Sequence, residues 1–306
     1  MQHHGRYDYH PIVGRPDWSW PGGRRLAVYC GLNLEHFAFG EGLGAELAPG
    51  GPQPDVLNYA WRDYGNRVGA WRLLALFDAL GLPASVIVNA SMYGYAPQLM
   101  DAVRARGDEI VGHGWSNSER QGILPEAGEA DLIRRATAEI ARHEGAPPQG
   151  WLGPWISQSP VTPDLLAEAG YGYLLDWCHD DQPVWMRTRG GGRILSVPYP
   201  QELNDIPQIV ARKLEGDAFA DMIVDTFDEL MAEAVDRPIV MGIALHPYLV
   251  GWPHRARHLR RALAHIAARG GEASGPWLTT AGAIAAHAAS LPPGTIAGDP
   301  RVAPAG

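Results

Sequence analysis

Cysteine is scarce in this chain. Cys30 and Cys178 are the only two in 306 residues, too few for a disulfide framework and without the paired spacing of a zinc knuckle. Cys30 stands in an apolar run and reads as inert. No histidine stands at a signature spacing from Cys178, His179 being only its sequence neighbour, so a nucleophilic role is not expected. Positive charge is not in excess either. Lys and Arg number 25 against 34 Asp and Glu, with no basic run and no aromatic-basic stripe, so nucleic acid is not an expected partner. The first residues lack a charged segment followed by an apolar one, and no apolar run reaches membrane-spanning length. The expectation is a cytoplasmic protein with no membrane partner. No Gly-x-Gly-x-x-Gly and no Gly-Lys-Ser/Thr follows a strand, which removes dinucleotide and P-loop phosphate sites. No block repeats and no linker divides the chain. One domain over residues 1–306 is expected, with a Pro-, Trp- and His-rich arm over 1–23 and a loose Pro/Gly/Ala-rich tail over 291–306.

What the sequence does have is alternation. Arg25 to Leu32 is a near-continuous apolar run of strand length, as suits a parallel strand buried on both faces. A helix is expected over Asn66 to Leu80, where Leu73, Leu76, Phe77 and Leu80 share a face and Gly81 supplies the stop. Strand and helix then recur: Ala84 to Val88, Pro97 to Arg106, Glu109 to Gly112, and a helix over about Ala130 to His143. Short strands follow at Trp151 to Gly153, Tyr173 to Leu175 and Arg193 to Val197. Further on come a helix from about Ala218 to Ala234, the long strand Pro238 to Leu245, a helix from about His254 to Ala268, and a last strand at Trp277 to Thr279. About eight strands alternating with helices is the rhythm of a (β/α) barrel, with a doubly wound open sheet as the competing architecture.

The polar residues fall at one end of this pattern. Glu35, Asn89, His113, Asp176 and His246 each lie at or just after the C-terminal end of an expected strand, the face that carries active sites in such barrels. The stretch Asp108 to Glu119 is the densest. There His113 is flanked by Gly112 and Gly114, which let the chain turn and let a substrate approach, and Ser116, Asn117, Ser118 and Glu119 follow. Two carboxylates and two imidazoles on one rim can activate water and serve a leaving nitrogen, so hydrolysis is the natural chemistry. We expect Glu35, His113, Asp176 and His246 to be catalytic, Glu35 as the base and Asp176 orienting an imidazole. Asn89, Trp115, Asn117, Trp155, Trp177 and Trp185 are expected to bind substrate, since aromatic rings often line small-molecule sites. Asp180 and Asp181 read as loop or ion-pair residues. A homo-oligomer is expected because Trp18 and Trp20 in the arm look uncovered.

These signatures, in order from Arg25 to Ala268, resemble the polysaccharide deacetylase (NodB-type, carbohydrate esterase) superfamily. Its metal-dependent members carry an Asp-Asp pair, a His-x-x-x-His motif, Arg-x-Pro and a late Leu-x-His. Here Leu34-Glu35, His113 with Asn117, Gly153-Pro154-Trp155 and Ala244-Leu245-His246 stand in those places, and the departures concentrate in the metal site. The resemblance is closer to the allantoinase-like branch, through Asn33-Leu34-Glu35, His113-Gly114-Trp115, Leu175-Asp176, Asp180-Asp181-Gln182-Pro183-Val184-Trp185, and Val197-Pro198-Tyr199 with Asn204-Asp205. It implies a distorted α/β barrel of seven to eight parallel strands that hydrolyses a non-peptide C–N bond in a small cyclic amide, imide or ureide. No cofactor is expected. The alternatives are a metal-dependent N-deacetylase of an amino sugar or polysaccharide, with zinc or another divalent metal on Glu35, His113 and Asn117, and a catalytically silent ligand-binding barrel.

Overall fold

The computed structural model describes residues 3–40, 44–299 and 301. Nine strands form one curled sheet: β1 Leu26–Leu34, β2 Ala84–Val88, β3 Glu109–Gly112, β4 Gly150–Trp151, β5 Tyr173–Leu174, β6 Val184–Arg187, β7 Arg193–Ser196, β8 Ile239–Leu245 and β9 Trp277–Thr279. The order is β6-β7-β5-β4-β3-β2-β1-β8, with β9 also on β1. Every residue of β1 and β8 is buried, as their near-continuous apolar sequence requires of strands covered on both faces. One edge of β1 is shared in series, residues 27–29 pairing with β9 and residues 30–34 with β2. The pairings are parallel except β6 with β7. The eight strands other than β6 pair in parallel, as expected, and the antiparallel β6 is an addition to that pattern.

The sheet does not close by strand pairing. The edge of β8 is instead covered by irregular chain, through Ala244 N–H to Leu203 O and Val240 N–H to Asp181 O, both 2.9 Å. The arm is packed down by part-buried ion pairs, Arg6 with Asp164 and Arg15 with Asp180, each 2.6 Å. Trp18 and Trp20 are buried at the N-terminal ends of the strands, where the Trp20 indole donates to Ile239 O. This removes the exposed aromatics on which an oligomer was expected. The expected loose tail is also corrected over residues 291–299, where Ile296 is buried and Asp299 pairs with Arg193 at 2.9 Å; residues 300 and 302–306 lie outside the described ones.

The helix expected from Asn66 begins ten residues earlier. Asp55 caps Val56–Tyr64 through Asn58 N–H, and the helix continues through a wide π-turn, Gly65–Gly69, into Ala70–Leu80. Gly65 and Gly69 have a packing use here. A Cβ at Gly65 would sit 2.7 Å from Tyr248 N, and one at Gly69 would sit 2.2 Å from Pro247 O. The wide turn lets the segment after β8 pass against the helix. Among the described residues no helix is long and apolar enough to cross a membrane.

Candidate active site

Three strand tips deliver the chemistry to one cavity. β1 hands over to Glu35, β3 to His113 and β8 to His246. With β8 beside β1 and only β2 between β1 and β3, these tips share one rim of the curled sheet. All three side chains are buried and line a cavity of about 170 Å³. Glu35 Oε1 lies 3.6 Å from His113 Nε2 and 3.5 Å from His246 Nε2. These separations are beyond ordinary hydrogen bonds. Glu35 Oε2 and His113 Nε2 are buried with no hydrogen-bond partner, a condition that costs about 1–3 kcal/mol per group unless water or ligand completes it.

Each imidazole is fixed from behind. His113 Nδ1 lies 2.6 Å from the Leu152 carbonyl, which can only accept, so Nδ1 carries hydrogen and Nε2 is the nitrogen turned to the cavity. His246 Nδ1 lies 2.6 Å from Asp205 Oδ1, and Asp205 Oδ2 accepts the His246 backbone N–H at 2.7 Å. Burial opposes a charge on His246, but Asp205 and Glu35 outweigh it and hold the imidazole well above its ordinary pKa. Burial likewise pushes Glu35 up, and the two imidazoles, His246 foremost, overcome it and hold the carboxyl below the usual range. At neutral pH the pair is carboxylate and imidazolium. Such a set offers a base, a cationic donor and a second imidazole nitrogen that can align water.

Glycine on both sides of His113 is a packing device more than a substrate approach. A Cβ at Gly112 would meet the Trp151 ring at 2.7 Å, and Gly114, at φ +65°, would meet Pro154 at 2.5 Å. Asn89 is also a scaffold. Its Oδ1 accepts His36 N–H at 2.8 Å, and its amide donates to His113 O and to Asn117 Oδ1, which ties the first and third tips together. Among the expected substrate-binding residues, Asn117 and Trp155 line the cavity. Trp115 stands under Arg135, Trp177 packs on Tyr7 and His4, and Trp185 lies under the Arg193 guanidinium at 3.8 Å. Those three do not line it. Trp155 and Ile156 form its outer wall with φ of 66° and 53°, a strained pair of the kind that persists only where the surroundings hold it. Here the Trp155 indole donates to Asn117 O at 2.9 Å.

Asp176 does not orient an imidazole; Leu152 and Asp205 occupy those nitrogens. It accepts Gly153 N–H at 2.8 Å, leaves Oδ2 unpaired, and is pushed up to about 7 by burial. A raised carboxyl favours the protonated form in the fold, so stability falls as pH rises from the ordinary carboxyl range to about 7 and is flat above. Asp176→Asn keeps the acceptor for Gly153 and removes the charge. Its melting temperature should exceed the wild type's by several degrees at about pH 8.5 and match it near pH 4, at about 2–4 °C per kcal/mol. A lower melting temperature at both pH values would show that the carboxylate is needed.

Of the expected metal-ligand set, Glu35 and His113 face each other across the cavity, and Asn117 is the weak member. Asn117 Oδ1 is already accepting from the Asn89 amide at 3.2 Å, and His246, the other nearby nitrogen, is favoured as the protonated form between two carboxylates. Among the described residues no three His, Cys, Asp or Glu side chains form a metal-holding group. Residues that sequence reasoning missed complete the site: Asp205 behind His246, and Phe37, Tyr199, Ile206 and Tyr248 as walls. Asp205 was visible only as part of the Asn204-Asp205 motif. Among the described residues no Lys or Arg lines the cavity.

Residues 58–174 match the family model described as Polysaccharide deacetylase. A Schizosaccharomyces pombe protein provisionally named polysaccharide deacetylase is 28% identical over 285 residues, covering 86% of this chain and 85% of that one. Among solved structures, a Puue allantoinase aligns with a TM-score of 0.77 at 28% identity, over 92% of this chain and 97% of its own. A probable polysaccharide deacetylase from Pseudomonas aeruginosa PAO1 aligns with a TM-score of 0.76 at 27% identity, over 91% and 97%.

Proposed function

From a chain that carries a polysaccharide deacetylase domain, a family of hydrolases acting on C–N bonds other than peptide bonds, we propose metal-independent hydrolysis of a small, neutral cyclic amide, imide or ureide. The observation that carries the reading is Glu35 set between two imidazoles in a cavity of about 170 Å³. A dry cavity of roughly 150 Å³ holds benzene, so one five- or six-membered ring fits and an oligosaccharide chain does not. Among the described residues no Lys or Arg lines the cavity, and the His246 imidazolium is already shared between Asp205 and Glu35, so an anionic substrate would meet Glu35 with no free cation to offset it.

In this reading a water bridges Glu35 Oε1 and His113 Nε2, across a gap too long for a direct bond. Glu35 takes its proton as the oxygen attacks the ring carbonyl. The His246 imidazolium, held by Asp205, donates to the developing oxyanion. Collapse breaks the C–N bond, and the proton on Glu35 passes to the leaving nitrogen. The likeness to the Puue allantoinase structure supports a cyclic ureide. The family match supports the second reading equally, an N-deacetylase releasing acetate from an amino sugar.

Metal removal separates the two. Chelator-treated protein should retain full ring-opening activity and contain far less than one transition metal per chain by elemental analysis. One tightly held metal per chain, with activity lost on chelation and restored by zinc, would overturn the metal-free reading.

A further inference from the structure

One more buried polar atom lies at this cavity without a partner: the Tyr248 hydroxyl. Tyr248 is 2% exposed and follows His246 in the short helix Pro247–Val250. Its ring packs edge-on against Trp61 at 5.1 Å and Phe37 at 6.1 Å, with the His246 ring 5.7 Å away. Packing on three sides fixes where the hydroxyl points, and a tyrosine buried this deeply normally has a partner for its O–H. The wide turn Gly65–Gly69 is shaped to receive the backbone of this segment, and Asn66 on that turn donates to Glu35 O at 2.8 Å. Base and phenol are thus set against one element.

Resting on the reading that water attacks a carbonyl here, we infer that Tyr248 is a catalytic residue whose O–H donates a hydrogen bond to the developing oxyanion beside His246. As the water oxygen bonds to the carbonyl carbon, the C=O π pair moves onto oxygen. The phenol stabilises that charge and keeps its own proton, while the proton released by water resides on Glu35 until it reaches the departing nitrogen. Burial, with the Glu35 and Asp205 charges, raises the phenol well above its ordinary pKa, so it acts as a donor and not as a base. The competing role is donation to the Glu35 carboxylate, which lies near enough to raise the phenol by charge and by hydrogen bonding, although the hydroxyl meets no partner at strict hydrogen-bond geometry.

Tyr248→Phe keeps the packing and removes only the donor. On the substrate the wild type turns over, kcat should fall about a hundredfold, with KM changed less than about threefold and the melting temperature unchanged. The acid limb of the pH–rate profile should not move. An acid limb shifted upward would assign the phenol to Glu35 and overturn the proposal, as would an undiminished kcat. A second arm does not depend on turnover. Phenylboronic acid at mildly alkaline pH, where it forms a tetrahedral anion, should bind wild type at least about tenfold more tightly than Tyr248→Phe. Equal binding, or none to wild type, contradicts the oxyanion role. If the boronate binds in a Tyr248-dependent way while no ring is opened, the ring-hydrolase reading fails and the assignment of Tyr248 stands.

Discussion

Glu35→Gln should fold as the wild type does and lose about 10² to 10⁴ in kcat, the usual contribution of a general base. That loss corresponds to about 2.7–5.5 kcal/mol of barrier. Gln matches Glu in volume, and the contact that fixes this segment, Asn66 to Glu35 O, is to the backbone and survives the change. Only basicity is removed. KM should change little, because the carboxylate acts on water more than on the ring. Steady-state kinetics with a melting curve checks this; near-full turnover with weakened affinity would make Glu35 a binding residue.

Asp205→Asn is the second large effect. The amide oxygen can still accept the His246 backbone N–H, so the loop is kept, but the charge at 2.6 Å from His246 Nδ1 is lost. Asp205 is the foremost cause that raises His246. Without it the imidazolium is no longer favoured near neutrality, and the oxyanion loses its cationic donor. Turnover at pH 8 should fall about a hundredfold. The sign on pH follows from the same cause. In the wild type the alkaline limb due to His246 lies well above the ordinary imidazole range; in Asp205→Asn it should move down toward that range, with part of the rate recovered at lower pH. A limb that stays in place, with turnover reduced equally at all pH values, would make Asp205 a structural residue.

Glu35, His113 and His246 were legible because each directly follows an apolar run whose length and content mark a buried parallel strand, and strand tips converge whatever the loops do. Asp205 and Tyr248 were not legible in the same way. Asp205 reaches His246 across 41 residues, on a segment that lies beside β8 through a single bridge of Asn204 to Ala244, so no periodicity announces it. Tyr248 depends on a π-turn, Gly65–Gly69, that lies at the start of the helix expected from Asn66 and that the helical periodicity does not distinguish. The tryptophans misled for a related reason: residue type tells that a ring is to be covered, not by what. Trp185 is covered by Arg193 across the antiparallel β6–β7 pair, while Trp155 faces the cavity because two strained residues turn it there.

The central claim, a ring-sized site in which Glu35 and two imidazoles open a neutral C–N bond without metal, is tested most directly by one paired assay. Chelator-treated wild-type protein is offered five- and six-membered cyclic imides and ureides alongside N-acetylglucosamine oligomers, with ring opening and acetate release followed in the same preparation. The account predicts ring opening of at least one neutral cyclic substrate, abolished by Glu35→Gln, and no acetate. Acetate release that appears only when zinc or another divalent metal is added, with every ring left closed, would contradict it.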